Sequence, residues 1–177
     1  MNWQPFVYQN LVYDLSHLNS RTATYEQPAK GDKPVRQYQV EVIFSLHCFT
    51  RGFQENEQPE RDLLYSDSRE TRVFDFRRYE LSKQLPRIMQ ELADRKCYHS
   101  GKGNFFTVEV FDEQEEKIEY DIFFEASKSE KRGTIRLFVQ SAYVRDAKHR
   151  SRPALNRIGF YVILFNTINN KPIKIQK

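Results

Sequence analysis

The sequence predicts an α+β domain in which an antiparallel sheet of about five strands packs on one main amphipathic helix, with an aromatic N-terminal arm beside it. Three observations carry the prediction. Apolar residues alternate with period two in one run near residue 40 and in further runs after residue 103, the mark of half-buried strands. One stretch, 75–94, repeats its apolar residues at helical spacing. The connections after residue 111 are short, which favours antiparallel neighbours. At 177 residues the chain suffices for a single domain, 1–177, with an arm and loop over 1–35 and the sheet-and-helix core over 36–170.

In the first 18 residues, Trp3, Phe6, Tyr8 and Tyr13 accompany Val7, Leu11, Leu15 and Leu18, which follow a helical stripe and favour a short helix or arm over the sheet, while Leu11 to Leu15 also reads as an extended segment. Residues 19–34 are poor in apolar side chains and contain two prolines, as a surface loop would. The first strand spans 37–49, with Tyr38, Val40, Val42, Phe44, Leu46 and Cys48 on one face. The polar stretch 50–71 is long for a structureless connection, so it is functional, disordered or hides a short element. Asp75 is the candidate N-cap of the helix that carries Leu81, Leu85, Ile88, Met89 and Leu92. Pro86 removes a backbone donor inside it and predicts either a kink or two helices meeting there. Strands follow at 104–111, with Phe106, Val108 and Val110 inward, and at 117–126, with Ile118, Tyr120, Ile122 and Phe124 inward. The strand 134–145 comes next. Residues 157–166 are apolar on both sides and read as a last strand buried on both faces.

The formal charge of +4 permits attraction to a phosphate backbone without demanding it. No apolar run of about 18 residues and no short apolar leader pattern is visible, which predicts a cytoplasmic protein without a membrane partner. Cys48 and Cys97 are too few for a disulfide scaffold and are expected to be reduced thiols. His47 and Cys48 are neighbours on a strand and so point to opposite faces; with no CxxC spacing present, a shared zinc site is disfavoured and neither a metal nor a cofactor is expected.

The strand 134–145 organises the candidate chemistry. Ile135, Leu137 and Val139 use one face for the core, and unbroken alternation would hand that face to Ser141, Tyr143 and Arg145. Such a polar lip either converges on a ligand or is the solvated end of a strand. The turn around Gly101, Lys102 and Gly103 either approaches an anion through its backbone or simply connects two elements. A metal-independent ribonuclease needs proton-transfer groups near the ribose 2′-hydroxyl and the leaving oxygen, with fixed cations on the phosphorane. His99 titrates nearest neutrality and is the candidate acid or base, with Tyr143 as its partner and Arg145 as the catalytic cation. Lys102, Ser141, His149 and Arg157 are the candidate substrate-binding groups.

A helix followed by four consecutive strands, with basic residues toward the last of them, resembles the small ribonuclease toxins of the RelE and barnase type over residues 75–166. The resemblance implies RNA as substrate, no metal and a cognate inhibitor protein. Two other readings stand beside it. One is a non-enzymatic module that binds nucleic acid or protein through outward Phe105, Phe111, Phe123 and Phe138, since bases stack on exposed rings. The other is a subunit of a larger assembly.

Overall fold

The chain begins with a β-hairpin, β1 (Phe6–Tyr8) and β2 (Leu11–Tyr13), in place of the predicted helix or arm. Gln9 and Asn10 both take positive φ, 49° and 64°, which matches the twist of a two-residue hairpin turn. The structure, a computed structural model, describes residues 1–101, 103–113, 116–145 and 153–174.

The expected loop at 19–34 instead holds the edge strand β3 (Arg21–Gln27), which pairs antiparallel with β4 (Arg36–Phe44). Along β4, Tyr38, Val40, Val42 and Phe44 are buried as the alternation requires, and a 3-10 turn at Leu46–Cys48 ends the strand. The polar stretch that follows hides short elements. There β5 (Thr50–Arg51), β6 (Leu64–Ser66) and β7 (Thr71–Phe74) form a small sheet of their own, ordered β5-β7-β6.

Of the two outcomes expected at Pro86, the structure has two helices, α1 (Phe76–Ser82) and α2 (Leu85–Gln90), followed by a 3-10 turn at Leu92–Asp94. Pro86 sits in the first turn of α2, where its missing N–H costs nothing. Asp75 caps α1, its side chain accepting from the Arg78 backbone N–H at 3.0 Å.

The rest of the main sheet comes from β8 (Cys97–His99), β9 (Phe105–Glu113), β10 (Glu116–Lys128), β11 (Thr134–Val144) and β12 (Asn156–Ile158). The order across it is β12-β8-β9-β10-β11-β4-β3. Seven strands replace the expected five, and the sheet is mixed, because β4 runs parallel to β11. The last predicted strand, 157–166, is mostly helix: β12 ends at Ile158 and α3 (Phe160–Ile168) begins two residues later. The architecture is therefore strand-dominated with three short helices, not a sheet resting on one main helix.

Leu85, Ile88 and Met89 of α2 and Phe160, Ile163 and Leu164 of α3 bury against the sheet residues Tyr120, Ile122, Phe124, Ile135, Leu137 and Val139. The Tyr25 hydroxyl donates to the Met89 carbonyl, and its ring meets Phe160 edge-on at 4.9 Å, which ties both helices to the β3 edge. Two face assignments differ from the alternation read in the sequence. In β9, Phe105 and Thr107 lie opposite Phe124 and Ile122, so they and Phe111 occupy the helix side while Phe106 and Val108 face away. In β11 a β-bulge shifts the register: Phe123 pairs with Ser141 but Phe124 pairs with Val139, which leaves Gln140 as the extra residue. Past it the pleat inverts. Ala142 follows Ile135, Leu137 and Val139 into the core, and Ser141 and Tyr143 take the opposite face.

Candidate functional site

Several cavities gather polar side chains, among them one at α1 and the end of β11 and another at the junction of β8, β12 and α3. The first, about 470 Å³, lies between α1, the segment after β5 and the end of β11, and is lined by Arg51, Phe53, Asp75, Arg77, Arg78 and Tyr143 among others. The Asp75 cap fixes the start of α1 and so places two consecutive arginines beside the cavity. Arg78 Nη1 donates to the carbonyls of His47 (3.2 Å) and Thr50 (2.9 Å), and its guanidinium carbon lies 5.6 Å from the Tyr143 ring centroid. Burial holds its pKa below the ordinary arginine value, partly offset by the Asp75 carboxylate. Arg51 is held by a two-pronged bond to Glu57 at 2.7 and 2.5 Å, which raises its pKa. Phe53 is 52% exposed at this cavity.

The floor continues as stacked rings. Tyr98, Phe106, Phe123 and Tyr143 follow one another across β8, β9, β10 and β11 at centroid spacings of 5.3, 5.3 and 5.7 Å. Phe106 is wholly buried in this row while Tyr98, Phe123 and Tyr143 are partly exposed, and Tyr143 is its end at the cavity.

The second cavity, about 590 Å³, lies where β8, β12 and α3 meet and is lined by His99, Asn156, Arg157, Val162 and Lys174 among others. β12 pairs with β8, setting Asn156 opposite His99 and Arg157 opposite Tyr98. His99 is 7% exposed, its ring edge-on to Phe105 at 5.2 Å, and its Nδ1 accepts the Gly101 backbone N–H at 3.0 Å.

The residues singled out from the sequence are thus divided. Tyr143 lines the first cavity and His99 and Arg157 both line the second, although pairing with Tyr98 sets the Arg157 side chain on the face of the sheet opposite to His99. Ser141 sits beside Phe123 on the same face as Tyr143. Arg145 is bound to carboxylates, with Nη2 2.5 Å from Asp121 and Nε 3.4 Å from Glu119. Gly101 and Gly103 take positive φ, 83° and 84°, in the turn from β8 to β9, which closes with Ser100 N–H donating to the Asn104 carbonyl. Lys102 and His149 lie outside the described residues. Sequence reasoning missed Arg51, Phe53, Arg77, Arg78 and Lys174; the DFRR run behind a capping aspartate was the available signal for two of them. Cys48 and Cys97 are free and buried, and burial pushes both thiols up to about 12. Among the described residues no group of three or more His, Cys, Asp or Glu side chains could hold a metal, and no described helix is long and apolar enough to cross a membrane.

Fold and cavities together define a mixed-sheet, strand-dominated protein with an arginine–aromatic cavity beside α1 and a basic cavity walled by aliphatic side chains beside β12. The chain belongs to the YjaZ family, whose profile matches residues 5–168. It is similar to Protein YjaZ of Escherichia coli (strain K12), with 31% identity over 174 residues that cover 97% of this chain and 93% of that protein. No solved structure matches the chain.

Proposed function

We propose that the protein is an RNA-directed binding module that holds a single-stranded segment at the first cavity and does not cleave it. The observation that supports this reading is the grouping of Arg77, Arg78, Tyr143 and the exposed Phe53 around one open cavity. Guanidinium groups neutralise phosphates, and aromatic faces stack bases irrespective of sequence. Cleavage of toxin type has less support, because His99 lies on the opposite side of the sheet from Tyr143 and the described lining of the first cavity has no histidine. The expected cognate inhibitor belongs to that ribonuclease reading alone. The module acts in the cytoplasm, where its RNA is.

The test is fluorescence anisotropy with a labelled single-stranded RNA. Saturable binding is expected, with a log–log salt slope of about −1.4 if two phosphates are contacted. Arg77→Ala and Phe53→Ala, both at exposed positions, should each weaken binding about tenfold with unchanged circular dichroism. The same RNA should remain intact on a gel after incubation with or without chelator. Cleavage that survives the chelator, or affinity untouched by both substitutions, sinks the proposal.

A further inference from the structure

The second cavity has a chemistry that RNA recognition at the first leaves unused, and we infer that it is a binding site for an aliphatic carboxylate. Its walls are Leu155, Ile158, Val162 and Ile173, with Leu155 56% and Val162 49% exposed, and no Phe, Tyr or Trp is among its described lining residues. Rings stack bases, whereas branched aliphatic walls of this kind accept a hydrocarbon body. Arg157 and Lys174 supply two cations, and neither has an ion-pair partner among the described residues. No carboxylate is among the described lining residues, so the charge there is of one sign.

His99 is the third element of the head-group site. With Nδ1 accepting the Gly101 N–H, the proton of the neutral ring sits on Nε2. That Nε2–H has no partner among the described residues, although the side chain is more than nine-tenths buried and lines the cavity. That nitrogen keeps a solvent-accessible face in the cavity, where a ligand oxygen can replace water as its acceptor. The carboxylate therefore sits by His99 and Lys174, with Arg157 adding positive charge at the cavity rim, and its hydrocarbon body lies against Val162, Leu155 and Ile173. The volume of about 590 Å³ is within the range of small-molecule sites.

Isothermal titration with acetate, hexanoate, octanoate and octanol tests the assignment, together with the nitrogen chemical shift of the His99 ring. Octanoate should bind saturably and shift the His99 nitrogen. Hexanoate should bind about fifteenfold more weakly, since each of the two lost methylenes is worth about fourfold. Octanol and acetate should each be weaker still, one for want of charge and the other of hydrocarbon. Arg157→Gln with Lys174→Gln, both at exposed positions, and separately Val162→Glu, should each reduce octanoate affinity at least about tenfold. Octanol binding as well as octanoate, or affinity that survives both variants, overturns the inference. Arg77→Ala should leave octanoate affinity unchanged, so failure of the RNA proposal and failure of this one are separable.

Discussion

Asp121 has no exposed side-chain surface, and Arg145 donates to its carboxylate from a position only 17% exposed. Truncating Arg145 strips a buried carboxylate of a cationic partner, so Arg145→Ala is expected to destabilise the protein by about 3 kcal/mol in urea unfolding. A solvated guanidinium would cost well under about 1 kcal/mol, and a result in that range would return Arg145 to the candidate ligand-binding groups. His17 makes a second prediction at this scale. The Ser82 hydroxyl donates to the Tyr79 carbonyl at 2.7 Å and so accepts from His17 Nε2 at 2.8 Å. Burial, the main cause, holds the His17 pKa below its ordinary value. In the unfolded chain the ring takes its proton near pH 6.5, while the folded ring resists until a lower pH. Its contribution is present above about pH 6.5 and is lost as the pH falls from there toward the folded pKa. His17→Gln should therefore flatten the fall in melting temperature between about pH 7 and pH 5; an unchanged slope would assign that fall to other groups. The thiols follow the same logic of burial. With Cys48 and Cys97 pushed up to about 12, only about one thiol in ten thousand is ionised at pH 8, so a disulfide reagent should label neither until denaturant is added.

At the level of elements, the bulge in β11 decides which side chains the strand shows to which face. Ala142 is fully buried, whereas Ser141 and Tyr143 are half-exposed on the opposite side. Ala142→Asp should cost about 3 kcal/mol or more, because it buries a charge without a partner, while Ser141→Asp should cost less than about 1 kcal/mol. Reversed costs, with Ser141→Asp the more damaging, would mean that the register runs through residue 140 without a shift. This inversion was not legible in the sequence, because a bulge adds one residue without altering the residue types on either side of it. β9 misled for a different reason: in FFTVEVF both alternating rows are apolar-rich, and pairing with Ile122 and Phe124 selected the row with Phe105 and Thr107. In α3 the helical signal was present, since Phe160, Ile163 and Leu164 are the buried residues and recur at helical spacing. A run apolar on all sides satisfies both periods, and Gly159 before it with Asn170 at φ 53° after it marked the helix ends. What could be read was β4, the burial of Tyr120, Ile122 and Phe124 along β10, the Asp75 cap and the break at Pro86, where one period or one cap chemistry had no rival. Of the candidate site, His99 and Arg157 do share a cavity and Tyr143 lines another, but the division between them follows from strand order, which a single sequence does not encode locally.

Across the whole molecule, the N-terminal hairpin and the small sheet are joined by rings more than by backbone pairing. Trp3 meets Phe49 edge-on at 5.1 Å, Phe6 stacks on Phe74 at 3.9 Å, and Tyr13 meets Tyr79 of α1 edge-on at 5.4 Å. Phe49 and Phe74 are themselves buried and in turn contact Tyr65 and Tyr79. Residues 1–18 are consequently part of the core and not an arm laid over it, since Trp3, Phe6, Leu15 and Leu18 are all buried. Removing such a side chain costs about 2–5 kcal/mol, so losing four approaches or exceeds the total stability of about 5–15 kcal/mol usual for a domain. The same deletion would bare Phe49 and Phe74 to water beside the first cavity, whose wall includes α1. A variant lacking residues 1–18 is therefore expected to lose its near-ultraviolet circular dichroism and its cooperative thermal transition, and with them RNA binding. If that variant instead melts cooperatively within a few degrees of the full chain, the hairpin is an appendage and the main sheet with its helices is the self-sufficient unit.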